Sequence, residues 1–267
     1  MAMFLGFRPL MLAMILCAGV LDAAPAHARR SVLELVRKAD LVARSKTSAA
    51  VFEMQIKARS YQRKLKVVFW DDQRDAEREK TLLKILGPAL WRGYGTLKLG
   101  SQLKLYNPRN NHVTVVGQSL LGDAWMGSHF TNDDLVKETR LARHYRSKLL
   151  KTWTAKGGAA DATHYRIALY PKPNAPVSWG RIDYVLWERG DVVMPVKASY
   201  FRKAADERPR REMSFSAVKK LGGRLMPAIM TVTMPKKPGE YTKLIYRKVK
   251  FDVKIPSSKF TEQALRR

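Results

Sequence analysis

Residues 125–135 read WMGSHFTNDDL, and this segment carries the most information about how the chain folds. Gly127 permits a tight turn because glycine adopts positive φ angles without steric cost. Thr131 can then cap a short helix whose first turn contains Asp133 and Asp134, and carboxylates at that end of a helix favour its dipole. The segment therefore predicts a turn followed by a short helix.

Two large apolar residues flank this predicted helix start, and they indicate what the helix packs against. Phe130 precedes the capping residue, and Leu135 follows the acidic pair. Both side chains would then face a sheet. The segment is expected to set a helix against that sheet, and its residues need not touch a bound molecule.

Short runs with a period of two occupy most of the chain on both sides of this segment. Phe52, Met54 and Ile56, for example, alternate with polar residues. Alternation of this kind is typical of strands with one buried face. Similar runs, separated by turn residues, extend to residue 116 and resume from residue 165 to residue 251. They predict about eleven antiparallel strands in a sandwich, a barrel or a strongly curved sheet.

Two regions predict helices. Ser31 and Glu34 form a capping-box pattern at the start of a helix that we place at residues 31–46, and residues 133–145 favour one or two short helices. A long antiparallel sheet must curl, so helices laid in its concave face would cover an apolar cavity. We predict an α+β fold that is mainly antiparallel β, although a mixed fold with a buried helix and no cavity gives the same periodicity.

The N-terminal residues have the pattern of an export signal. An apolar segment at residues 9–21 is too short to cross a bilayer as an ordinary helix. The small-residue pattern Ala26-His27-Ala28 follows it. We predict a signal peptide at residues 1–28, cleavage after Ala28, and a single periplasmic domain at residues 29–267. Retention of the segment as an uncleaved anchor is the alternative.

The charge of the chain is strongly positive. Lys and Arg number 50 against 23 Asp and Glu, which gives a formal net charge of +27. Such a field attracts anionic partners such as nucleic acid, acidic proteins or a membrane face rich in anionic lipid. The export signal argues against nucleic acid, so an anionic membrane surface is the expected partner. A solvated basic surface without a dedicated partner is the alternative.

The sequence contains no motif typical of an enzyme. Its histidines form neither an HExxH zinc motif nor a pair at i, i+4, and both the GxSxG nucleophile elbow and the GxxxxGK[ST] phosphate loop are missing. The only cysteine, Cys17, lies in the predicted signal peptide, so neither a disulfide nor a thiolate metal site is expected in the mature chain. We predict no catalytic residue, no metal and no cofactor; an enzyme with dispersed catalytic residues is the alternative.

Adaptable apolar side chains are numerous enough to line a cavity. The chain has 11 Met and 6 Trp; thioethers adapt to irregular apolar partners, and indoles add large area with one N–H. The predicted cavity-lining residues are Phe52, Met54, Ile56, Leu97, Leu99, Trp125, Met126, Phe130, Leu135, Met230, Val232 and Met234. Ordinary core packing, or the opposite face of each strand, is the alternative.

Residues 125–135 resemble a signature of the LolA-like outer-membrane lipoprotein-sorting family, in which a Met-Gly-Ser-Asp-Phe-Thr run leads into an acidic pair and a leucine. Further segments resemble the motifs of that family in the same order, at residues 82–99, 105–108, 193–197, 221–227 and 260–265. The similarity covers roughly residues 50–265. The sequence departs from the pattern at His129, where the family usually has an acid, and at Lys104, where an aromatic residue is common.

The resemblance implies an unclosed β-barrel, covered by helices, that encloses an apolar cavity. It implies a periplasmic carrier that binds lipid or the acyl chains of lipoproteins for transfer toward the outer membrane. An inner-membrane transporter or an outer-membrane acceptor would be a further partner. A lipid-binding accessory module of a membrane transporter is the first alternative; an exported enzyme acting on an anionic polymer and a nucleic-acid binder without a true signal are the others.

Overall fold

Thirteen antiparallel strands form a single sheet in the computed structural model, which describes residues 30–75, 77–136, 141–155 and 161–267. The predicted signal peptide lies outside the described residues. Residues Ser31–Arg267 form one compact unit. Within the described ranges, no helix combines the length and the apolar character needed to cross a bilayer.

The strands and helices are numbered in chain order. The strands are β1 (Thr47–Lys57), β2 (Gln62–Asp72), β3 (Lys80–Gly87), β4 (Gly95–Leu99), β5 (Gln102–Asn107), β6 (His112–Val115), β7 (Tyr145–Ala155), β8 (Ala162–Pro171), β9 (Arg181–Arg189), β10 (Val192–Phe201), β11 (Arg211–Leu221), β12 (Arg224–Thr233) and β13 (Tyr241–Phe251). The α-helices are α1 (Val32–Leu41), α2 (Asn132–Val136), α3 (Leu141–His144) and α4 (Glu262–Arg266).

The sheet is built from two meanders that meet at β1. From β1 the chain runs strand by strand to β6 at one edge, and from β7 at the other edge it returns strand by strand to β13, which pairs with β1. Among the described residues β6 and β7 do not pair with each other, so the prediction of an unclosed, mainly antiparallel barrel is confirmed. The connection between these two edge strands carries α2 and α3, as predicted for this region.

The strand count exceeds the predicted number of about eleven, and β7 is the strand that the sequence pattern did not indicate. Most of its side chains are exposed, including the adjacent Leu149 and Leu150. A bulge also interrupts its pairing with β8 between Leu149 and Lys151. Apolar alternation arises only where one face of a strand is buried, so this edge strand has little of it.

Helix α1 begins as predicted and ends earlier. Ser31 is the N-cap, and its Oγ accepts a hydrogen bond from the backbone N–H of Glu34 at 3.2 Å. Leu35 and Ala39 are buried against the side chains of β7–β12. The helix ends at Leu41 rather than at residue 46, because β1 begins well before Phe52 and the chain must turn between the two elements.

Two adjoining apolar clusters fill the concave face of the sheet. The α1 cluster joins α1 to β7–β12. The β1 cluster joins Phe52, Met54 and Ile56 to β2, β3 and Trp125. Phe130 packs against both clusters and Leu135 packs against the β1 cluster, which confirms that both residues face the sheet.

A third cluster lies on the opposite face of β3–β5 and is covered by α4. Leu82, Leu97 and Tyr106 pack there against Leu265. Successive side chains of a strand point to opposite faces, and Leu83, which follows Leu82, packs against the β1 cluster instead. Helix α4 therefore covers the convex face and not the concave one.

Candidate functional site

A cavity of about 320 Å³ lies on the concave face of β9–β13, beneath the segments that cover this part of the sheet. The covering segments are the end of α1 with the residues after it, Phe130 with α2, and residues 177–179. The apolar part of its wall is formed by side chains from four strands: Ile182, Ala198, Met213, Phe215, Pro227 and Met230. Volumes of about 300–1,000 Å³ are usual for sites that bind small molecules, so this cavity is at the lower end of that range.

Four tyrosines contribute polar atoms to the cavity without contributing charge. They are Tyr145, Tyr184, Tyr200 and Tyr246. Burial raises the pKa of all four phenols, because the interior of a protein disfavours their ionised form. The hydroxyl of Tyr145 donates to the backbone oxygen of Trp179 at 3.3 Å. These four tyrosines thus add polar edges to the wall without adding charge.

The acidic residues of the lining are bonded to neighbouring parts of the chain. Asp133 Oδ2 accepts a hydrogen bond from the hydroxyl of Ser178 at 2.6 Å. Asp40 Oδ2 accepts one from the backbone N–H of Ala142 at 3.3 Å. These bonds join α2 to the segment before β9, and α1 to α3. The acids therefore help to hold the covering segments together.

Asp134 forms an ion pair with Arg211 in the wall of the cavity. Arg211 Nη1 donates to Asp134 Oδ2 at 2.5 Å, and both side chains are largely buried. The same oxygen accepts bonds from the backbone N–H and the hydroxyl of Thr131, while Thr131 Oγ1 accepts from the backbone N–H of Asp134. Thr131 therefore caps α2 as predicted, and α2 is tied to the first residue of β11.

The turn before α2 is fixed by contacts with the β1–β2 region. Met126 and Gly127 have φ angles of 52° and 69°, and a Cβ on Gly127 would lie 2.7 Å from the hydroxyl of Tyr61. That hydroxyl donates to the backbone oxygen of Gly127, and Arg63 donates to the oxygen of Met126 at 2.7 Å. Trp125 Nε1 donates to the hydroxyl of Thr96 at 3.0 Å. The predicted tight turn is present, and its role is structural.

A second cavity of about 290 Å³ adjoins the first, because Trp179 and Arg211 line both. Its other lining residues include Arg210, Lys236 and Lys237. Arg210 precedes β11, and the two lysines lie in the loop between β12 and β13. The two cavities therefore differ in the charged side chains that line them. The first has both cations and carboxylates in a largely apolar wall, whereas the second has cations and, among the described residues, no carboxylate. They are called the apolar cavity and the basic cavity below.

His129 is a buried member of the second cavity. Its backbone N–H donates to the hydroxyl of Thr242 at 2.9 Å, and its Nδ1 lies 2.8 Å from the same oxygen. Its Nε2 lies 3.5 Å from Glu240 Oε2. Burial lowers the pKa of His129, and the nearby carboxylate offsets this effect only in part. Burial therefore favours the neutral form of the ring.

The residues predicted to line a cavity lie in several parts of the structure. Phe130, Leu135 and Met230 line the apolar cavity, and Met234 lines the basic one. Val232 is fully buried in the α1 cluster. The remaining concave-face residues belong to the β1 cluster beside the cavity: Phe52, Met54, Ile56, Trp125 and Met126.

Leu97 and Leu99 require a correction, since they lie on the convex side of the sheet. Both pack in the cluster beneath α4. Their neighbour Thr96 faces the concave side, where its hydroxyl meets Trp125. Alternation correctly indicated which residues of β4 share a face. It did not indicate which of the two faces is concave. Leu97 and Leu99 lie on the convex face, where packing against α4 buries them.

The strongest features of the site were not predicted from the sequence. The buried Arg211 follows a run of charged loop residues, so it has the pattern of one more exposed charge. Trp179 lies in a Pro- and Ser-containing connection between strands. Tyr184 and Tyr200 each follow an apolar residue two positions earlier, with one polar residue between, and this spacing offered a usable signal. Within the part of the chain that the structure describes, no group of His, Cys, Asp and Glu side chains could hold a metal ion.

Comparison with known proteins supports the fold at low sequence identity. A DUF1329 family protein from Desulfovibrio piger has a TM-score of 0.73 at 21% identity, with 87% of this chain and 97% of that chain covered. A putative outer membrane lipoprotein-sorting protein domain from Vibrio parahaemolyticus has a TM-score of 0.69 at 18% identity, with 88% and 98% covered. A LolA superfamily protein from Nitrosomonas europaea has a TM-score of 0.66 at 17% identity, with 88% and 100% covered.

Comparison of the sequence with protein-family models finds a match over most of the chain, whereas comparison with curated proteins does not. No curated protein matches the sequence. A family model with the description "Uncharacterized protein" matches residues 77–267. The chain therefore belongs to the family that this model describes, and its fold is that of the LolA-like outer-membrane lipoprotein-sorting proteins.

Proposed function

We propose that the protein is an exported carrier that holds a lipid, or the acyl chain of a lipoprotein, in the apolar cavity for transfer toward the outer membrane. The observation that carries this proposal is the cavity itself. Protein interiors are normally close-packed, yet the concave wall around Ala198 and Met230 leaves about 320 Å³ unfilled. Helices laid over a concave apolar face are the arrangement expected of a lipid carrier.

The chemistry of the wall suits an acyl chain. Each methylene that leaves water for an apolar site gains about 0.8 kcal/mol, so a chain of ordinary length provides affinity without any reactive group. The neutral tyrosines place no charge against the chain. The modest volume favours one chain over several, and the remainder of the molecule would lie outside the apolar cavity.

Transfer also requires that the cavity can open, and the contacts of α2 favour this. Helix α2 is short, and it is joined to β11 by the pair Asp134–Arg211 and to the segment before β9 by Asp133 and Ser178. Polar bonds of this kind can be exchanged for bonds to water when the helix moves away. The movement of α2 would therefore uncover the apolar wall.

The positive charge of the chain supports docking at a membrane. With a net charge of +27, the protein is attracted to anionic headgroups at about 1 kcal/mol for each Lys or Arg near the surface. Binding to vesicles of an anionic phospholipid should therefore weaken steeply as salt is raised. Binding that is the same at low and high salt would contradict electrostatic docking. The signal peptide predicted at residues 1–28 supports a periplasmic location.

A titration with a fluorescent fatty acid tests the proposal. We expect saturable binding to the wild-type protein, and binding weaker by about tenfold or more in Met230→Trp, because the larger side chain fills the space that the chain would occupy. Ile229→Trp is the matched control, since Ile229 is the neighbouring residue on β12 and points to the other face. Equal binding by both variants and the wild type would contradict a chain in this cavity.

A further inference from the structure

We infer that the second cavity binds a phosphate group, and that this phosphate belongs to a lipid whose acyl chain lies in the apolar cavity. The lipid half of this inference rests on the proposed function, whereas the phosphate half rests on the second cavity alone. The ligand class is therefore an acyl-chain phosphate ester.

The charged side chains that line the second cavity are all positive. Its lining holds four cationic side chains, those of Arg210, Arg211, Lys236 and Lys237, and among the described residues it holds no carboxylate. Arg210 and the two lysines reach the cavity from two different loops, and none of the three makes an ion pair with a described residue. Arg211 is paired with Asp134. The other three cations have no acidic partner among the described residues, and cations that converge in this way create a positive potential, which attracts an anion.

Arg211 supplies an independent indication of a ligand. Its side chain is 6% exposed, and one of its nitrogens bonds to Asp134. Its Nε is buried and, among the described residues, has no hydrogen-bond acceptor. Buried polar groups are nearly always hydrogen-bonded, and one that is not calls for an explanation. An oxygen of a bound anion would satisfy this donor.

The position of Arg211 also connects the two cavities. Arg211 and Trp179 line both of them, and the guanidinium lies 4.9 Å from the centre of the Trp179 ring. A molecule with a chain in the apolar cavity and an anionic group in the basic one would pass this pair. Such a molecule is amphiphilic, with its charge close to the start of its chain.

Phosphate suits the donors better than a carboxylate does. A guanidinium offers a planar fork that matches two phosphate oxygens, and lysines serve phosphates as mobile point charges. A phosphate ester has enough oxygens to meet the buried Arg211 and the exposed Lys236 and Lys237 together. The buried His129 adds a further polar side chain to the wall beside these cations.

The test compares two monomeric ligands of the same chain length, a lysophosphatidic acid and the corresponding uncharged monoacylglycerol, with inorganic phosphate as a third ligand. Binding is measured by calorimetry to the wild-type protein and to the triple variant Arg210→Gln, Lys236→Gln, Lys237→Gln. The matched control is the triple variant Lys219→Gln, Lys220→Gln, Lys248→Gln, which removes the same charge from exposed positions outside the cavity. All of these side chains are exposed, so folding should be retained.

We expect the wild type and the control to bind the lysophosphatidic acid about tenfold or more tightly than the monoacylglycerol, and the cavity variant to lose that preference while binding the monoacylglycerol as before. Equal binding of both lipids by the wild type, or an unchanged preference in the cavity variant, would overturn the inference and leave the proposed carrier intact. Binding of inorganic phosphate without any binding of either lipid would instead show a free-anion site, and would contradict both the lipid source and the proposed function.

Discussion

Arg211 Nη1 donates a 2.5 Å hydrogen bond to Asp134 Oδ2 and so joins the first residue of β11 to α2 beside the apolar cavity. The side chains are only 6% and 16% exposed. Asp134 also receives two hydrogen bonds from Thr131, which caps the same helix. One carboxylate therefore sets both the start of α2 and its attachment to the sheet.

Asp134→Asn should destabilise the protein by about 3 kcal/mol, because it leaves the buried Arg211 charge without its ionic partner. Urea denaturation gives the free energy of unfolding directly. Asp252→Asn is the matched control: Asp252 pairs with Arg224 at 2.6 Å, but the two side chains are 54% and 41% exposed. A solvent-exposed pair contributes less than about 1 kcal/mol. Equal losses of unfolding free energy in the two variants would show that the buried pair stabilises the protein no more than the exposed pair does.

His129 should make the protein less stable in mildly acidic solution. Burial lowers its pKa below the ordinary value of 6.5, so the unfolded chain binds the proton more readily than the folded chain does. Its contribution to stability is complete above that value and is lost as the pH falls through 6.5 toward the lowered pKa. Glu240 acts in the opposite direction, and Lys237 adds to the lowering.

Thermal unfolding between pH 7.5 and pH 5 checks this expectation. His129→Gln cannot take up the proton, so its melting temperature should fall less than that of the wild type over this range. His112→Gln is the control, because the side chain of His112 is exposed. Parallel curves for the wild type and His129→Gln would mean that protonation of His129 is not linked to unfolding.

Two neighbouring carboxylates at the end of β2 should respond to neutralisation with opposite signs. Burial raises the pKa of Asp71, although the hydroxyl of Thr81 donates to it at 2.6 Å. The charged form is thus disfavoured by folding, and stability is lost as the pH rises through the raised pKa. Asp71→Asn should therefore raise the melting temperature at pH 7, and the difference from the wild type should shrink in acid.

Asp72→Asn should have the opposite effect on stability from Asp71→Asn. The side chain of Arg74 donates two hydrogen bonds to Asp72 and lowers its pKa. The contribution of this charge is present above the ordinary pKa of an aspartate and is lost as the pH falls through the lowered one. Asp72→Asn should therefore lower the melting temperature at pH 7. A shift of the same sign in both variants would contradict the two assignments.

Gly180 should be intolerant of a side chain, because it brings the segment with Ser178 and Trp179 against the end of β10. A Cβ at Gly180 would meet the backbone oxygen of Arg202 at 2.8 Å and two further backbone atoms at 2.9 Å. Backbone atoms cannot move aside as a flexible side chain can. Gly180→Ala should cost about 1–3 kcal/mol and weaken binding of the fatty acid, since Trp179 lines the cavity.

Gly117→Ala provides the comparison for Gly180. A Cβ at Gly117 would meet nothing within 4 Å, and its φ of −82° is ordinary for alanine. The stability of Gly117→Ala in denaturation and its affinity for the fluorescent fatty acid should therefore match those of the wild type. An equal loss of stability in the two alanine variants would show that glycine is needed for chain flexibility and not for the close approach at residue 180.

Local rules predicted the fold well, because most of its elements are specified by neighbouring residues. Thr131 and Asp134 are three positions apart and form the cap of α2, and Phe52, Met54 and Ile56 share a face because a strand alternates. β7 was missed because its exposed side chains carry no such pattern. Leu97 was misplaced because alternation does not indicate which face of β4 receives α4.

The candidate site was less predictable, because its residues meet only through the fold. Asp134 and Arg211 are 77 positions apart, and Arg211 follows a charged loop from which an exposed side chain is expected. The second cavity joins His129 to two loops near residues 210 and 236. No periodicity relates these positions, so a single sequence cannot bring them together.

Mass spectrometry of an organic extract tests the carrier most directly. The mature protein and its Met230→Trp variant would be purified without detergent from the periplasm of cells that export them. We expect a stoichiometric lipid or lipopeptide in the extract of the wild type and markedly less in that of the variant. A wild-type protein that is folded, exported and empty would contradict the account and would make the cavity an unfilled part of the core.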